Sequence, residues 1–156
     1  MNEPVRDVTR RVFLATAGVG AAAAVLPRSV AAQQTADERA NVQVVNDFCA
    51  TFTVPIDWDK MASHLSDDCK YRASQDTPIV EGPAAIVGFL RGFADAATFA
   101  EFEMVDTWAR GPVVVNDRID RFRLPDRSLD IPVVGVFHVV DGKITEWSDF
   151  IFGATP

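Results

Sequence analysis

Residues 98–108 run Thr98-Phe99-Ala100-Glu101-Phe102-Glu103-Met104-Val105-Asp106-Thr107-Trp108, and Ala100, Phe102, Met104 and Trp108 alternate with Glu101, Glu103 and Thr107. A period of two places successive side chains on opposite faces, so the stretch reads as a strand with one buried and one solvated face. The pattern continues downstream. Gly111-Pro112 breaks the chain, Val113 to Phe122 forms a second strand, Pro125-Asp126-Arg127 turns, and Leu129 to Val140 forms a third. Asp141-Gly142 favours a tight hairpin and leads into a fourth strand, Lys143 to Phe152.

Upstream the period lengthens. Thr35-Ala36-Asp37-Glu38 has capping-box spacing, in which the Thr hydroxyl and the Glu carboxylate satisfy backbone donors that the first helical turn leaves free. Val42, Val45, Cys49 and Phe52, with Phe48 beside them, then recur every three or four residues as one apolar face, and Val54-Pro55 is expected to end the helix. Asp57 caps a short second helix carrying Trp58, Met61 and Leu65, Ser66-Asp67-Asp68 turns, and a strand follows from Cys69 to Ala73. Gly82-Pro83 opens a third helix, with Ile86, Phe89, Leu90 and Phe93 as its buried stripe. Helices first and strands after define an α+β domain, with helices packed on one face of a curved antiparallel sheet that encloses a pocket.

The N-terminus follows another logic. Arg6, Arg10 and Arg11 precede an apolar run from Val12 to Leu26, shorter than the ~20 residues a membrane span needs, and small residues follow at Val30-Ala31-Ala32. Arg10-Arg11 before Val12-Phe13-Leu14 resembles the twin-arginine export motif. Residues 1–32 are therefore expected to be a signal peptide and 33–156 the mature domain, which the twin-arginine machinery would deliver to the periplasm or the medium. An uncleaved anchor helix is the alternative reading.

A chain of 156 residues with 48% apolar side chains has room for one packed domain. Its formal charge of -7 argues against nucleic acid, whose backbone is bound by clustered Lys and Arg. A small apolar molecule is the expected partner. The only histidines and cysteines are His64, His138, Cys49 and Cys69, and they lack the spacing of a metal site, so neither metal nor cofactor is expected. Export would permit one disulfide, but cargo that folds before crossing, with both cysteines in apolar surroundings, favours two buried thiols. His64 fits a helix end where its charge would suit the dipole, and His138 falls away from the pocket; neither is assigned a role.

Chemistry concentrates in Asp117-Arg118-Ile119-Asp120-Arg121, Val134-Gly135-Val136-Phe137, and Asp141-Gly142-Lys143-Ile144-Thr145-Glu146-Trp147-Ser148-Asp149-Phe150. Together these resemble the C-terminal half of the limonene epoxide hydrolases, members of the nuclear-transport-factor-2-like (NTF2-like) superfamily alongside ketosteroid isomerases and SnoaL-type cyclases. The resemblance covers most of residues 40–152 and is most specific in Arg-x-Asp with the later Trp-x-Asp. It implies a cone-shaped fold in which Asp120 is the acid, Asp149 the base and Arg118 the cation between them, opening an epoxide in one step. Tyr71 matches a tyrosine that helps hold the water. Phe93, Phe99, Phe122, Ile131, Val133 and Ile151 would form the apolar wall, and related folds often pair through the open sheet face, which leaves a homodimer open without the sequence naming the oligomer. One departure stands out: the family has an Asn two residues after the tyrosine, where this chain has Ala73, with Ser74 or Gln75 as the candidate substitutes.

The residues support this division of labour without the name. Arg118 and Asp120, two apart on a strand, share a face with Val114, Asn116 and Phe122. Two carboxylates around one guanidinium titrate as a pair, which offers an acid and a base at one pH. The competing reading is a surface salt-bridge ladder with no chemistry, since Asp117 and Arg121 offer a similar pattern on the opposite face. Neighbours of Asp149 depend on the hairpin: a two-residue Asp141-Gly142 turn pairs Asp149 with Val134, and a three-residue loop pairs it with Val133. The second is favoured, because the resemblance puts Val133 and Ile131 on the pocket side. Epoxide hydrolysis leads, followed by an isomerase or cyclase using either Asp on a carbon acid, and by a non-catalytic carrier of small ligands.

Overall fold

The computed structural model describes residues 33–153, so the expected signal segment, 1–32, lies outside the described residues. Three helices come first: α1 (Ala36–Cys49), α2 (Trp58–Ser63) and, after strands β1 (Leu65–Arg72) and β2 (Val80–Glu81), α3 (Pro83–Ala94). Strands β3 (Phe99–Arg110), β4 (Val113–Arg123), β5 (Ser128–Val140) and β6 (Lys143–Ile151) complete a curved six-stranded sheet of order β2-β1-β6-β5-β4-β3. The expected α+β cone is the observed architecture, with one change: β1 runs parallel to β6, so the sheet is mixed. Among the described residues no helix is long and apolar enough to cross a membrane.

Local chemistry sets the helix starts. Thr35 and Glu38 form the full capping box, Asp57 accepts from the Lys60 N–H, and Pro83 sits in the first turn of α3. Helix α1 stops at Cys49, well before Val54-Pro55, and its end tightens into a turn in which the Thr51 N–H and hydroxyl both donate to the Phe48 carbonyl (3.0 and 2.7 Å). Phe52 is thereby freed to turn inward and stack on Phe102, with ring centroids 3.9 Å apart. Helix α1 lies against β3 and β4 and reaches β5 and β6. Its Phe48 packs edge-on against Trp147 and Phe137, filling the closed end of the cone.

Two bulges correct the strand reading. In β3, Met104 pairs with Arg118 and Asp106 with Asp117, so Val105 is an extra residue that reverses the alternation. Trp108, expected to face inward with Met104, is 48% exposed, and Ala109 takes the buried place. The Asp141-Gly142 turn has two residues, both at positive φ (50° and 74°), a conformation open to Asp and favoured by Gly. Thr145 then bulges out of β6 and donates its hydroxyl to the His138 carbonyl. Asp149 consequently pairs with Gly135, and neither Val134 nor the favoured Val133 is its partner. Strand β1 likewise starts at Leu65 and absorbs Ser66-Asp67-Asp68 in a bulge where a turn was expected.

Candidate active site

On the concave face of β4, Val114, Asn116, Arg118, Asp120 and Phe122 point inward in succession, and all are buried. The Arg118 guanidinium is the centre of the group. Its Nε and Nη2 donate to the two oxygens of Asp120 (2.6 and 3.2 Å), and Nη2 also donates to Asp149 Oδ1 (2.8 Å). Trp147 Nε1, two residues before Asp149 on β6 and on the same face, donates to that Oδ1 as well (2.8 Å). Asp149 Oδ2 takes no hydrogen bond from Arg118 or Trp147. Tyr71 on β1 stacks on the Trp147 ring (3.9 Å) and lies close enough to Asp149 for its hydroxyl to act on that carboxyl as a donor. The inner cluster is thus a buried triad, not the surface ladder of the competing reading.

Sheet geometry explains why an arginine fits here. Gly135 lies across from both Asn116 on β4 and Asp149 on β6. A Cβ on Gly135 would stand 2.3 Å from Arg118 Nη1 and 2.5 Å from Asn116 Oδ1, so only the bare backbone leaves room for the guanidinium. Phe102, opposite Asp120 on β3, covers the Arg118 plane at 4.6 Å.

Burial dominates the electrostatics. It pushes the Asp120 carboxyl up to about 6 against the pull of Arg118, and the Asp149 charge adds to the rise. Asp149 is also raised by burial, while Arg118, Trp147 and Tyr71 hold it down. For Arg118 burial disfavours the cation, but Asp149 and Asp120 outweigh it and lift the guanidinium above its usual value. Burial followed by the Asp149 charge keeps the Tyr71 phenol well above its ordinary range and so protonated. One cation between two carboxylates leaves a net negative charge in a dry site, which a single shared proton neutralises.

The carboxylates close one end of a cavity of about 200 Å3 whose other walls are apolar. Phe93, Phe122, Ile131, Val133 and Ile151 line it as expected, and Tyr71, Asp120 and Asp149 supply its polar surface with the Trp147 ring beside them. Phe99 does not belong to the wall. It precedes the inward Ala100, so alternation turns it to the convex face, where it is 42% exposed and packs under Arg123. Sequence reasoning left out of the wall Phe52, which only the early end of α1 brings in, and it gave Phe89, Leu90 and Phe102 to the core. It also missed Asn116 and Trp147 as partners of the triad; the inward alternation of β4 and the Trp-x-Asp spacing were the available signals.

Ala73, at the position that departs from the family pattern, lines the cavity. Neither candidate substitute replaces the absent amide: Gln75 spends its side chain on the backbone of Ile151 at the outer edge, and the Ser74 backbone is tied to Thr77. Cys49 and Cys69 are free, buried thiols, each pushed up to about 12 by burial. His64 caps the C-terminus of α2, but burial lowers its pKa, so the charge expected to suit the dipole is disfavoured. His138 faces away from the cavity and meets the Thr145 hydroxyl (2.9 Å).

The family model for the limonene-1,2-epoxide hydrolase catalytic domain matches residues 39–154. An LEH-like epoxide hydrolase of M. tuberculosis is 24% identical, with a TM-score of 0.65 over 73% of this chain and 84% of its own. A SnoaL-like polyketide cyclase candidate from Shewanella denitrificans is 17% identical, with a TM-score of 0.65 over 71% of this chain and 89% of its own. A ketosteroid isomerase candidate from Kribbella flavida is 20% identical, with a TM-score of 0.62 over 77% and 83%. At these identities the likeness is one of fold. No protein of curated function matches in sequence.

Proposed function

Because the chain belongs to the limonene-1,2-epoxide hydrolase catalytic-domain family, we propose that it adds water to a small apolar epoxide in a single acid–base step. One observation carries the reading: a single guanidinium bridges two buried carboxylates at the polar end of an otherwise apolar cavity. Asp149 is the base. Its Oδ1 is occupied by Arg118 and Trp147, so Oδ2 takes a proton from water held with the help of Tyr71, and the water oxygen attacks an oxirane carbon. Asp120 is the acid. Its longer bond to Arg118, at Oδ2, is the one a proton displaces most cheaply, and that proton passes to the ring oxygen as the carbon–oxygen bond breaks. The product is a diol, and the proton on Asp149 returns to Asp120 to close the cycle.

A pKa of about 6 keeps part of Asp120 protonated near neutrality; burial raises Asp149 as well, against Arg118, Trp147 and Tyr71, and it is these donors that favour its ionised form as the base. The cavity's volume and aromatic walls suit a hydrocarbon with no polar group beyond the oxirane. One observation favours a second reading: Ala73 leaves the water without the Asn ligand of the family pattern, and a carbon-acid isomerase or cyclase would need none. The two separate in single-turnover reactions with a small apolar epoxide in oxygen-18 water, where an isomerase or cyclase forms no diol. The hydrolase labels the diol in its first cycle; an unlabelled first-cycle diol with label in an aspartate would sink the direct attack of water. Ala73→Asn is expected to raise the hydrolase rate several-fold and to do nothing for an isomerase.

A further inference from the structure

We propose that Asn116 is a positioning residue that locks the Arg118 guanidinium between the two carboxylates, and that the Cys49 thiol steadies Asn116 in the orientation that does so. The proposal rests on the acid–base reading of the site for its functional consequence, and on geometry alone for the lock itself.

Asn116 is fully buried, and every polar atom of its side chain is engaged. Its Oδ1 accepts from Arg118 Nη1 (2.9 Å) and from the Gly135 N–H (3.2 Å), and its Nδ2 donates to Cys49 Sγ (3.5 Å). A flipped amide would aim its own N–H groups at two donors and leave the thiol facing an oxygen. The Arg118 and Gly135 donors exclude that flip, and Cys49, brought beneath β4 by α1, supports the productive one by giving the amide nitrogen the one acceptor it meets among the described residues. The guanidinium is then fixed on every side. The Nε–Nη2 edge holds the carboxylates, Nη1 holds Asn116, and Phe102 covers the plane.

The lock matters when the site changes charge. Once Asp120 takes its proton, its hold on Nε and Nη2 weakens, and an unrestrained arginine would slide to a two-pronged bond with Asp149. Both Asp149 oxygens would then be occupied, and the oxygen that must accept the proton of water would be lost. Asn116 sits on the opposite side of the guanidinium from Asp149 and resists that slide, and Gly135 leaves the space for it to do so.

The test is NMR of the 15N-labelled Arg118 side chain in the full-length protein, alongside steady-state kinetics with an apolar epoxide. In the native protein the Nη1 and Nη2 groups are expected to give separate, slowly exchanging signals. In Asn116→Leu, of similar volume with no acceptor, rotation about the Cζ–Nε bond is expected to quicken at least about tenfold, with kcat down roughly 10- to 100-fold and KM within about twofold. Cys49→Ala should show a smaller change in the same direction, and Cys49→Ser, which keeps an acceptor, should restore native behaviour. Arg118 signals in a folded Asn116→Leu that match the native protein would overturn the proposal. If Asn116→Leu does not fold, Cys49→Ala decides, and an unchanged Arg118 there overturns it equally. Native protein that turns over no epoxide would sink the hydrolase reading, while the NMR comparison still decides the lock.

Discussion

Strand β4 carries two arginine–carboxylate clusters, one on each face. Inside, Arg118 joins Asp120 and Asp149, with side-chain exposures of 0%, 11% and 6%. Outside, Arg121 joins Glu103 on β3 and Asp130 on β5, and Arg123 joins Asp130 too, with exposures between 27% and 47%. The outer cluster has two arginines for its two carboxylates and the inner only one, and the consequences are opposite. Bonds from Arg123 and Arg121 lower the Asp130 carboxyl, as for any exposed ion pair, whereas burial raises Asp120 to about 6 despite a two-pronged arginine. The difference lies in how much water remains and in the missing second arginine, because desolvation penalises charge faster than one guanidinium can compensate two carboxylates. A surface cluster of this composition ties strands together; a buried one stores proton affinity.

The sharpest way to break this comparison is to neutralise one carboxylate on each face. Asp149→Asn and Asp120→Asn are each expected to lower kcat/KM for an apolar epoxide by roughly 10²- to 10⁴-fold, the usual worth of a general acid or base. Asp130→Asn, which removes as much charge from the same sheet, should leave turnover within about twofold. A comparable loss in all three would mean that the inner cluster acts through folding alone.

Removing the arginines gives the next largest contrast. Arg118→Ala strands two carboxylates in a dry site and is expected to cost about 3–5 kcal/mol in chemical denaturation, or less where the site takes up protons instead. Arg121→Ala exposes Glu103 and Asp130 to water that already reaches them, and its midpoint should stay close to the native one. Equal destabilisation by the two variants would erase the distinction.

Much of this division is legible in the amino-acid sequence. Capping chemistry at Thr35, Asp57 and Pro83 places the three helix starts, and alternation from Val113 onward puts Arg118 and Asp120 on one face with Asn116 and Phe122. What the sequence hides depends on contacts that leave no local mark. A bulge inserts one residue without a signature of its own, so Val105 and Thr145 reverse the expected placing of Trp108 and the expected partner of Asp149. The parallel pairing of β1 with β6, which seats Tyr71 over Trp147, joins segments some seventy residues apart and follows from packing alone. Phe99 leaves the expected wall for a simpler reason: its own neighbours, Ala100 and Phe102, already claim the inner face.

The smallest expected effect is also the most diagnostic, because the two clusters should tilt stability with pH in opposite directions. Asp120 has a folded pKa of about 6, above its ordinary 3.8, so the native state binds that proton more tightly than the unfolded chain. Its contribution is fully present below about pH 4 and is lost as pH rises through 6. Asp149, also raised by burial, works in the same sense. Asp130 has a lowered pKa, so its contribution is present above the ordinary carboxylate value and is lost as pH falls through the folded one. Melting temperatures of the native protein, Asp120→Asn and Asp130→Asn, measured across acid to neutral pH, read both slopes by difference. Relative to the native protein, Asp120→Asn should gain a few degrees between about pH 4 and 6, as the native site ionises at a cost the variant avoids. Asp130→Asn should show no change across that range and should lose ground only as pH climbs out of the strongly acid region, where the native carboxylate ionises and meets its arginines. A gain for both variants, or for neither, would mean that the inner carboxylates are better compensated than their burial implies, and the case for Asp120 as a proton donor near neutrality would fall with it.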